Sequence, residues 1–253
     1  MNINQRLSAP PPSDILVRRL SRYAELSPAE IALLQTLPLA PQDLGAGTEL
    51  IVEGRLLDTP RLLVSGWACR FRMLPDGRRQ IFDFILPGDM YGLCLRPQAV
   101  ALTTAITLTA AQIADASALW FAIKERPSEY PGLADACHNT ASLEEAYLLN
   151  QLVRVGRQTA YERTAHLILE IYDRLDAVGL ADGPSIPMPL TQETMADALG
   201  LSVVHLNRTL QLLRRDQLIE SRTGFIKLLQ PEQLADVADF HPPVISQKTL
   251  NPA

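Results

Sequence analysis

The chain has 253 residues, 47% of them hydrophobic and 20% charged, and a net charge of −5 at pH 7. This length accommodates one large or two modest domains, and the composition is typical of a soluble globular protein. No apolar run approaches the roughly 20 residues of a membrane span, and the N-terminus lacks the apolar stretch of a signal peptide. We therefore expect a cytoplasmic protein with no membrane partner.

The three cysteines are widely spaced and include no C-x-x-C pair. This spacing indicates neither a disulfide framework nor a zinc site.

The first part of the chain is predicted to be a flexible segment, residues 1–24, in which only a short helix over 13–23 is expected. Residues 1–12 are rich in proline and small polar side chains, which cannot build a core. A second helix is predicted to begin at Ser27-Pro28-Ala29-Glu30 and to end near Pro38. Those four residues form a capping box with proline at the first helical position.

Between residues 44 and 117 the sequence is typical of antiparallel strands. Short β-prone segments alternate with Gly, Pro and Asp, and Pro75-Asp76-Gly77 between two alternating segments predicts a hairpin turn. Several strands at this spacing favour an antiparallel barrel or sandwich. The predicted strands are Glu49–Val52, Arg61–Val64, Ala68–Met73, Gln80–Ile85, Leu102–Leu108 and Gln112–Asp115.

A long helix is predicted from Pro131 to about Val155, and an amphipathic helix, Thr159–Val178, follows it. The apolar residues of the long helix occupy more than one face, which is more than a helix lying on one surface needs. One face is then available for the barrel and another for a second copy of the chain; a simple buried helix is the alternative. The residues assigned to the dimer contact are Leu133, Cys137, Leu143 and Tyr147.

Residues Gln192–Gln211 carry the pattern of a helix-turn-helix. Gly200 supplies the left-handed turn between two helices, and Ser202 is placed to cap the second. Leu206 and Leu210 bury the inner face of that helix. Its outer face is then free to touch base edges and phosphates in a major groove.

The distribution of charge suits a site-specific DNA-binding protein better than a general DNA coat. The acidic net charge argues by itself against a nucleic-acid partner, but basic residues concentrate at and after the second helix of the motif. Two β-prone segments around Arg222-Thr223-Gly224 also predict the hairpin of a winged helix. The local cations are Arg208, Arg214, Arg215, Arg222 and Lys227.

Between about residues 25 and 235 the sequence contains seven short motifs, each of which occurs once. In the first half they are Gly47-x-x-Leu50-Ile51-x-Glu53-Gly54, Leu63-Val64-x-Gly66, Leu74-Pro75-Asp76-Gly77-Arg78 and Phe84-x-Leu86-Pro87-Gly88-Asp89. In the second half they are Tyr161-Glu162-Arg163-x-Ala165-His166-Leu167, Leu190-Thr191-Gln192 and Ala196-Asp197-x-Leu199-Gly200-Leu201-Ser202. In this order they resemble the Crp/Fnr family of bacterial transcription regulators, named after the cAMP-receptor and fumarate–nitrate-regulator proteins.

The resemblance implies an α+β fold and a homodimer that binds an inverted-repeat promoter site in double-stranded DNA and contacts RNA polymerase. An N-terminal antiparallel β-barrel, a jelly roll like the cyclic-nucleotide-binding domain, is expected to sense a signal or to act as a scaffold. The signal would change the relative orientation of the two recognition helices. The expected divisions are the flexible segment 1–24, the barrel 25–125, the dimerisation helix 126–156, the winged helix-turn-helix 157–235 and a tail 236–253.

Carried over position by position, the base-reading residues of the family are Val203, Val204, Asn207 and Arg208. Arginine donates two parallel hydrogen bonds to guanine, and asparagine pairs with adenine. Family members often have glutamate where Val204 stands, and valine contacts a thymine methyl group instead, so we expect a different half-site at that base pair. The phosphate or register contacts are assigned to Thr191, Gln192, Ser202, His205, Arg222 and Lys227, for which a solvated surface is the alternative.

The effector is expected to differ from a cyclic nucleotide. In the members that bind one, the Gly-Asp-x-x-Gly turn continues into a glutamate and an arginine follows downstream; here Leu93 follows Gly92, and Ala101–Thr104 contains no arginine. Arg96 is the only nearby substitute, and Pro97 after it indicates a turn. A buried phosphate without a cation is very costly. The pocket is assigned to Gly92, Leu93, Cys94, Leu102, Thr103 and Thr104.

Cysteine placement argues against the iron–sulfur sensor of the oxygen-sensing branch, which uses a cluster of N-terminal cysteines. This chain has none before Cys69. A haem-type sensor using Cys69 or Cys94 stays an alternative, as does redox activity of Cys94, beside the simpler interpretation of an incidental thiol.

Two other classes of function compete with a DNA-binding regulator. A cupin-type enzyme generally needs histidines and a carboxylate converging on a metal inside the barrel, but all four histidines lie outside it, so we expect no enzyme and no metal site. A ligand- or protein-binding module that does not contact DNA is the second, and the presence of Ser202, Asn207 and Arg208 argues against it. The histidines are His138, His166, His205 and His241.

Overall fold

The computed structural model describes residues 11–57, 59–92 and 98–245. Two short helices come first, α1 (Pro12–Ser21) and α2 (Pro28–Thr36). At the start of α2 the hydroxyl of Ser27 accepts a hydrogen bond from the backbone N–H of Glu30, and the Glu30 carboxylate accepts one from the backbone N–H of Ser27. The predicted capping box is therefore confirmed.

Helix α1 confirms the short helix predicted over 13–23, but it belongs to the folded core, so the prediction of a flexible segment through residue 24 is wrong for this helix. Ile15, Leu16 and Leu20 are buried in one hydrophobic cluster with residues of the β-strands and later helices. Their spacing places them on a single helical face. The proline-rich composition of residues 1–12 does not extend to this amphipathic stretch.

Among the described residues that follow, eight strands form two four-stranded antiparallel sheets, which we call the sandwich domain. The strands are β1 (Gln42–Leu44), β2 (Glu49–Ile51), β3 (Arg61–Ser65), β4 (Ala68–Met73), β5 (Arg79–Ile85), β6 (Met90–Tyr91), β7 (Thr104–Thr107) and β8 (Ala111–Asp115). The sheet orders are β1-β8-β3-β6 and β2-β7-β4-β5. Leu63, Ile85 and Ile113, drawn from both sheets, share one core.

The arrangement is jelly-roll-like, as predicted, with two hydrogen-bonded sheets in place of a closed barrel. The β4–β5 hairpin turns at the predicted Pro75-Asp76-Gly77, where the backbone N–H of Leu74 donates to the carbonyl of Arg78 at 2.7 Å. Strands β1 and β6 were not predicted, because three and two residues are too few to show an alternating pattern.

Two further helices, α3 (Ser117–Glu125) and the 26-residue α4 (Pro131–Gly156), leave the sandwich domain. Helix α4 packs on β5 and on α1, α3 and α5 (Ala160–Asp176). The predicted bounds of the long helix are confirmed to within one residue. It connects the sandwich domain to the C-terminal domain.

The residues predicted for the dimer contact lie on the inner face of α4. Leu133, Leu143 and Tyr147 are buried against other parts of the same chain, and Cys137 is half-buried beside them. That assignment is therefore wrong, because periodicity reveals two apolar faces without showing which one packs on its own subunit. The large apolar residues exposed on α4 are Leu148, Leu149, Leu152 and Val153.

The C-terminal part forms a winged helix-turn-helix domain around α5, which begins at a second capping box on Thr159. A three-stranded antiparallel sheet of order β10-β11-β9 completes it. The remaining elements are β9 (Ser185–Met188), α6 (Gln192–Leu199), α7 (Val203–Arg215), β10 (Ile219–Arg222), β11 (Gly224–Leu228) and α8 (Pro231–Ala238). Helices α7 and α8 both pack on α5.

Candidate DNA-binding surface and cavity

A left-handed turn joins α6 to α7. Gly200 has φ 63° and ψ 36°, a conformation that glycine adopts without the steric cost of a Cβ. The hydroxyl oxygen of Ser202 accepts a hydrogen bond from the backbone N–H of His205 at 3.2 Å, and that of Thr191 accepts one from Thr194 at 3.0 Å. Both predicted phosphate-contact hydroxyls therefore also cap helices.

Helix α7 has one buried and one open face. Leu206, Leu210 and Leu213 are buried in the domain core. The opposite side, which we call the recognition face, holds every predicted base-reading residue, with Val204 63% exposed. The recognition face consists of Val203, Val204, His205, Asn207, Arg208 and Gln211.

The C-terminal end of α6 is held by side chains from two other helices. Arg163 of α5 donates to the carbonyl oxygen of Leu199 at 2.8 Å, and Gln151 of α4 donates to that of Ala198 at 2.6 Å. These carbonyls have no partner within the helix, and a cation at this end is favoured by the helix dipole. Sequence reasoning missed this role, although Arg163 lies in a motif that it singled out.

Three side-chain amides form a chain across the recognition face. Asn207 Nδ2 donates to Oε1 of Gln192 at 3.1 Å, and Gln211 Nε2 donates to Oδ1 of Asn207 at 2.9 Å. Gln192 is the first residue of α6, so this amide chain spans both helices of the motif. The sequence places Gln211 on the outer face of this helix but assigns it no specific contact; its i+4 spacing from Asn207 is the signal for the hydrogen bond between them.

The wing presents both of its predicted cations to solvent. Arg222 at the end of β10 forms an ion pair with Glu220 at 2.6 Å, while Lys227 on β11 lies opposite Glu220 in the strand register. Both cations are exposed. The Glu220 carboxylate reduces the local positive charge that a phosphate would meet.

A buried ionic cluster joins the C-terminal domain to the sandwich domain. Arg174 of α5 pairs with Asp83 at 3.0 Å and with Asp89 at 2.7 Å, and donates to the carbonyl of Phe84 at 2.6 Å. Its guanidinium lies 4.7 Å from the ring centre of Tyr147 on α4. Burial alone would raise the pKa of Asp83, but Arg174 and a second arginine, Arg70, outweigh it and hold that pKa below its usual range.

Two more arginines extend this cluster. Arg19 of α1 pairs with Asp89 at 2.7 Å, and Arg70 of β4 pairs with Asp83 at 3.0 Å and with Glu144 of α4 at 3.5 Å. Four distant parts of the chain therefore meet at two aspartates.

A cavity of about 350 Å³ lies between the sandwich domain and α4, and the ionic cluster forms part of its wall. Three of the residues predicted for an effector pocket line it: Gly92, Leu102 and Thr103. Thr104 accepts a hydrogen bond from the backbone N–H of Glu53 at 3.3 Å. Leu93 and Cys94 lie outside the described residues. The buried hydroxyls of two lining residues, Tyr91 and Tyr147, have no hydrogen-bond partner among the described residues.

Behind the helix-turn-helix, a second buried group surrounds His166. Arg154 of α4 donates to His166 Nδ1 at 3.1 Å and forms an ion pair with Glu170 of α5. Burial and the neighbouring Arg154 charge lower the pKa of His166 to about 4, so its ring is neutral at pH 7. His166 has a structural role in this group.

The thiols of Cys69 and Cys137 are protonated at pH 7. Burial raises the pKa of Cys69 to about 12 and that of Cys137 to about 11. Across residues 11–57, 59–92 and 98–245, no three His, Cys, Asp or Glu side chains are grouped to hold a metal ion. In the same part of the chain, no helix has the length and apolar character to cross a membrane.

Comparison with known proteins identifies the family. The model of the Crp-like helix-turn-helix domain matches residues 162–237. The nitrogen fixation regulation protein FixK of Bradyrhizobium diazoefficiens is 35% identical over 170 residues, which cover 66% of this chain and 69% of FixK. The transcriptional activatory protein AadR of Rhodopseudomonas palustris is 30% identical over 224 residues, or 88% of this chain and 90% of AadR. The chain belongs to the Crp/Fnr family.

A solved member supports the fold of this Crp/Fnr protein. The structure of FixK2 from Bradyrhizobium japonicum is 24% identical and superimposes with a TM-score of 0.68, covering 79% of this chain and 98% of FixK2. As a Crp/Fnr regulator, the protein is a DNA-binding transcription regulator with a C-terminal helix-turn-helix. The sandwich domain and α4 occupy the N-terminal part of the fold, as the resemblance implies.

Proposed function

We propose that this Crp/Fnr regulator acts as a homodimer that binds an inverted-repeat promoter site. The observation that carries the proposal is the open recognition face of α7, a helix that, like α6 before it, begins at a side-chain cap. Proteins of this architecture pair two recognition helices on half-sites about one helical turn apart. A protein of this kind acts on the chromosome in the bacterial cytoplasm and contacts RNA polymerase, and its role is regulatory rather than enzymatic.

The exposed apolar face of α4 is our candidate for the dimer contact. Leu149 and Leu152 are 56% and 67% exposed, and Leu148 and Val153 flank them on the same two turns. Contiguous exposed apolar residues of this kind mark an interaction surface. A second copy of α4 covers this face best, because the same patch on both subunits is self-complementary about a twofold axis.

We assign base reading to Arg208, Asn207, Val204 and Val203. Arg208 suits guanine, whose two acceptors match its guanidinium fork, and Val204 suits a thymine methyl group. Phosphate or register contacts fall to residues at the edge of the recognition face and on the wing: Thr191, Gln192, Ser202, His205, Arg222 and Lys227. The Ser202 hydroxyl fits this role because its oxygen accepts the cap bond and its O–H is left to donate to a phosphate oxygen.

We propose the cavity beside α4 as the site of an effector that is not a cyclic nucleotide. A cyclic phosphate needs a cation that is free to pair with it. Among the described lining residues, Arg19, Arg70 and Arg174 each already pair with a carboxylate. The melting temperature of the protein should therefore stay unchanged with micromolar cAMP or cGMP. A nucleotide that did bind would stabilise the folded protein by about 2.7 kcal/mol at a concentration 100 times its Kd, and would raise the melting temperature. A rise in melting temperature would contradict this assignment.

Selection of randomised DNA by the purified protein tests the proposed function. We expect enrichment of an inverted repeat whose half-site centres lie about 10 base pairs apart. Selection in parallel with the Arg208→Ala variant is the control, because loss of a base-reading residue should relax the enriched sequence at one base position of each half-site. Failure of the wild-type protein to enrich any sequence would overturn the proposal.

A further inference from the structure

The amide chain of Gln192, Asn207 and Gln211 leaves Asn207 with a defined hydrogen-bonding edge. A primary amide has two N–H donors and an oxygen with two lone pairs. One N–H of Asn207 is used by Gln192 and one lone pair by Gln211. One donor and one acceptor therefore stay free, and adenine presents the matching N7 acceptor and N6–H donor in the major groove.

The same chain restricts which way the Asn207 amide points. Turning it by half a rotation would place Nδ2 against the donor of Gln211 and Oδ1 against the acceptor of Gln192. A donor would then face a donor at Gln211, and an acceptor would face an acceptor at Gln192. Asn207 can therefore turn only if all three amides turn together. An asparagine without these partners samples both orientations freely.

We propose that Gln192 and Gln211 are specificity-determining residues that hold Asn207 in the orientation that selects adenine at one position of each half-site. This inference rests on the proposed function, since it concerns how the same recognition face reads DNA. Gln192 is thereby given a role other than the phosphate contact predicted from the sequence. The two roles differ measurably, because a phosphate contact carries no sequence information.

The test uses the full-length protein and the site that the wild type selects. Affinity is measured for every single-base variant of one half-site with the wild type, Gln192→Ala and Gln211→Ala, and with Gln230→Ala as the matched control. Gln230 is an exposed glutamine of the same domain whose amide donates to the backbone carbonyl of Gln217, away from the recognition face. All three substituted side chains are exposed, so circular dichroism should show an unchanged fold.

We expect the wild type to prefer adenine at one position by roughly fivefold or more, the lower end for a bidentate pair. Gln192→Ala and Gln211→Ala should lose most of that preference at this position and leave the others unchanged, while Gln230→Ala matches the wild type. With Asn207→Ala, neither glutamine substitution should have a further position-specific effect. A uniform loss of affinity at all positions, or an unchanged profile, overturns the inference.

Gln211→Glu provides a second variant with an opposite expectation. A carboxylate only accepts hydrogen bonds, so Asn207 must turn its Nδ2 toward position 211 and its Oδ1 toward Gln192. This reverses the donor and acceptor that face the base, and the preferred base should change. Retention of the adenine preference would contradict the inference. If the wild type selects no site at all, the proposed function fails; if it selects one that all variants read alike, only this inference fails.

Discussion

Arg208 on α7 and Lys227 on the wing are both exposed cations on the proposed DNA side, but their chemistry differs. Arg208→Ala should cost about 1–3 kcal/mol of binding free energy and relax the preference at one base pair, because a bidentate guanine contact is lost. Lys227→Ala should weaken binding to all DNA sequences about equally. It should also reduce the slope of log affinity against log salt concentration by about one, as loss of a phosphate contact does. Titrations of single-base variants at several salt concentrations measure both. A uniform effect of Arg208→Ala would contradict its assignment.

His166 makes the stability of the protein depend on pH. Its folded-state pKa is lowered to about 4, while an unfolded histidine has a pKa near 6.5, so the unfolded state binds the extra proton between these values. The free energy of unfolding should therefore fall as the pH drops from about 6.5 to 4, by up to roughly 3 kcal/mol from this group.

Denaturant titrations of the wild type and His166→Gln over this pH range isolate the contribution. The variant should show a smaller decrease than the wild type, since glutamine does not titrate and still offers Arg154 an acceptor. Equal decreases in the two proteins would show that His166 is not responsible.

At the scale of single elements, the sequence predicts the features that depend only on residues close together in the chain, such as helix caps and turns. The capping box at Ser27 and the left-handed turn at Gly200 are local, and both are confirmed. The capping box at Thr159 is equally local but was not predicted. The strand β9 was missed because it is four residues long and lies in a Pro- and Gly-rich stretch.

The choice between the two apolar faces of α4 depends on tertiary packing, so it could not be predicted locally. Leu152→Asp should shift the protein toward monomer, because a charge on the exposed face opposes burial against a second copy. Analytical ultracentrifugation measures the mass. Asp135→Lys changes a charge on an exposed position of the same helix outside the apolar patch and should leave the mass unchanged. A monomeric wild type, or a dimeric Leu152→Asp variant, would contradict the proposed contact.

At the scale of the whole molecule, the ionic cluster is the part that the sequence predicts least. Asp89 and Gly88 were identified only as a turn motif, and Arg174 was not singled out. The structure brings Asp89 between Arg19 of α1 and Arg174 of α5, which are 155 positions apart in the chain. Such pairs depend on the arrangement of domains rather than on spacing. They place Arg174, an arginine of the C-terminal domain, in the wall of the proposed effector cavity.

The most direct test of the account is the affinity of the protein for its selected inverted repeat compared with the same DNA carrying one scrambled half-site. Fluorescence anisotropy gives the two affinities, and sedimentation gives the stoichiometry. We predict two chains per repeat and a loss of affinity of at least about 100-fold when one half-site is scrambled, since half of the specific contacts disappear. Equal affinity for both DNAs with one chain bound would contradict a dimer that reads paired half-sites through α7.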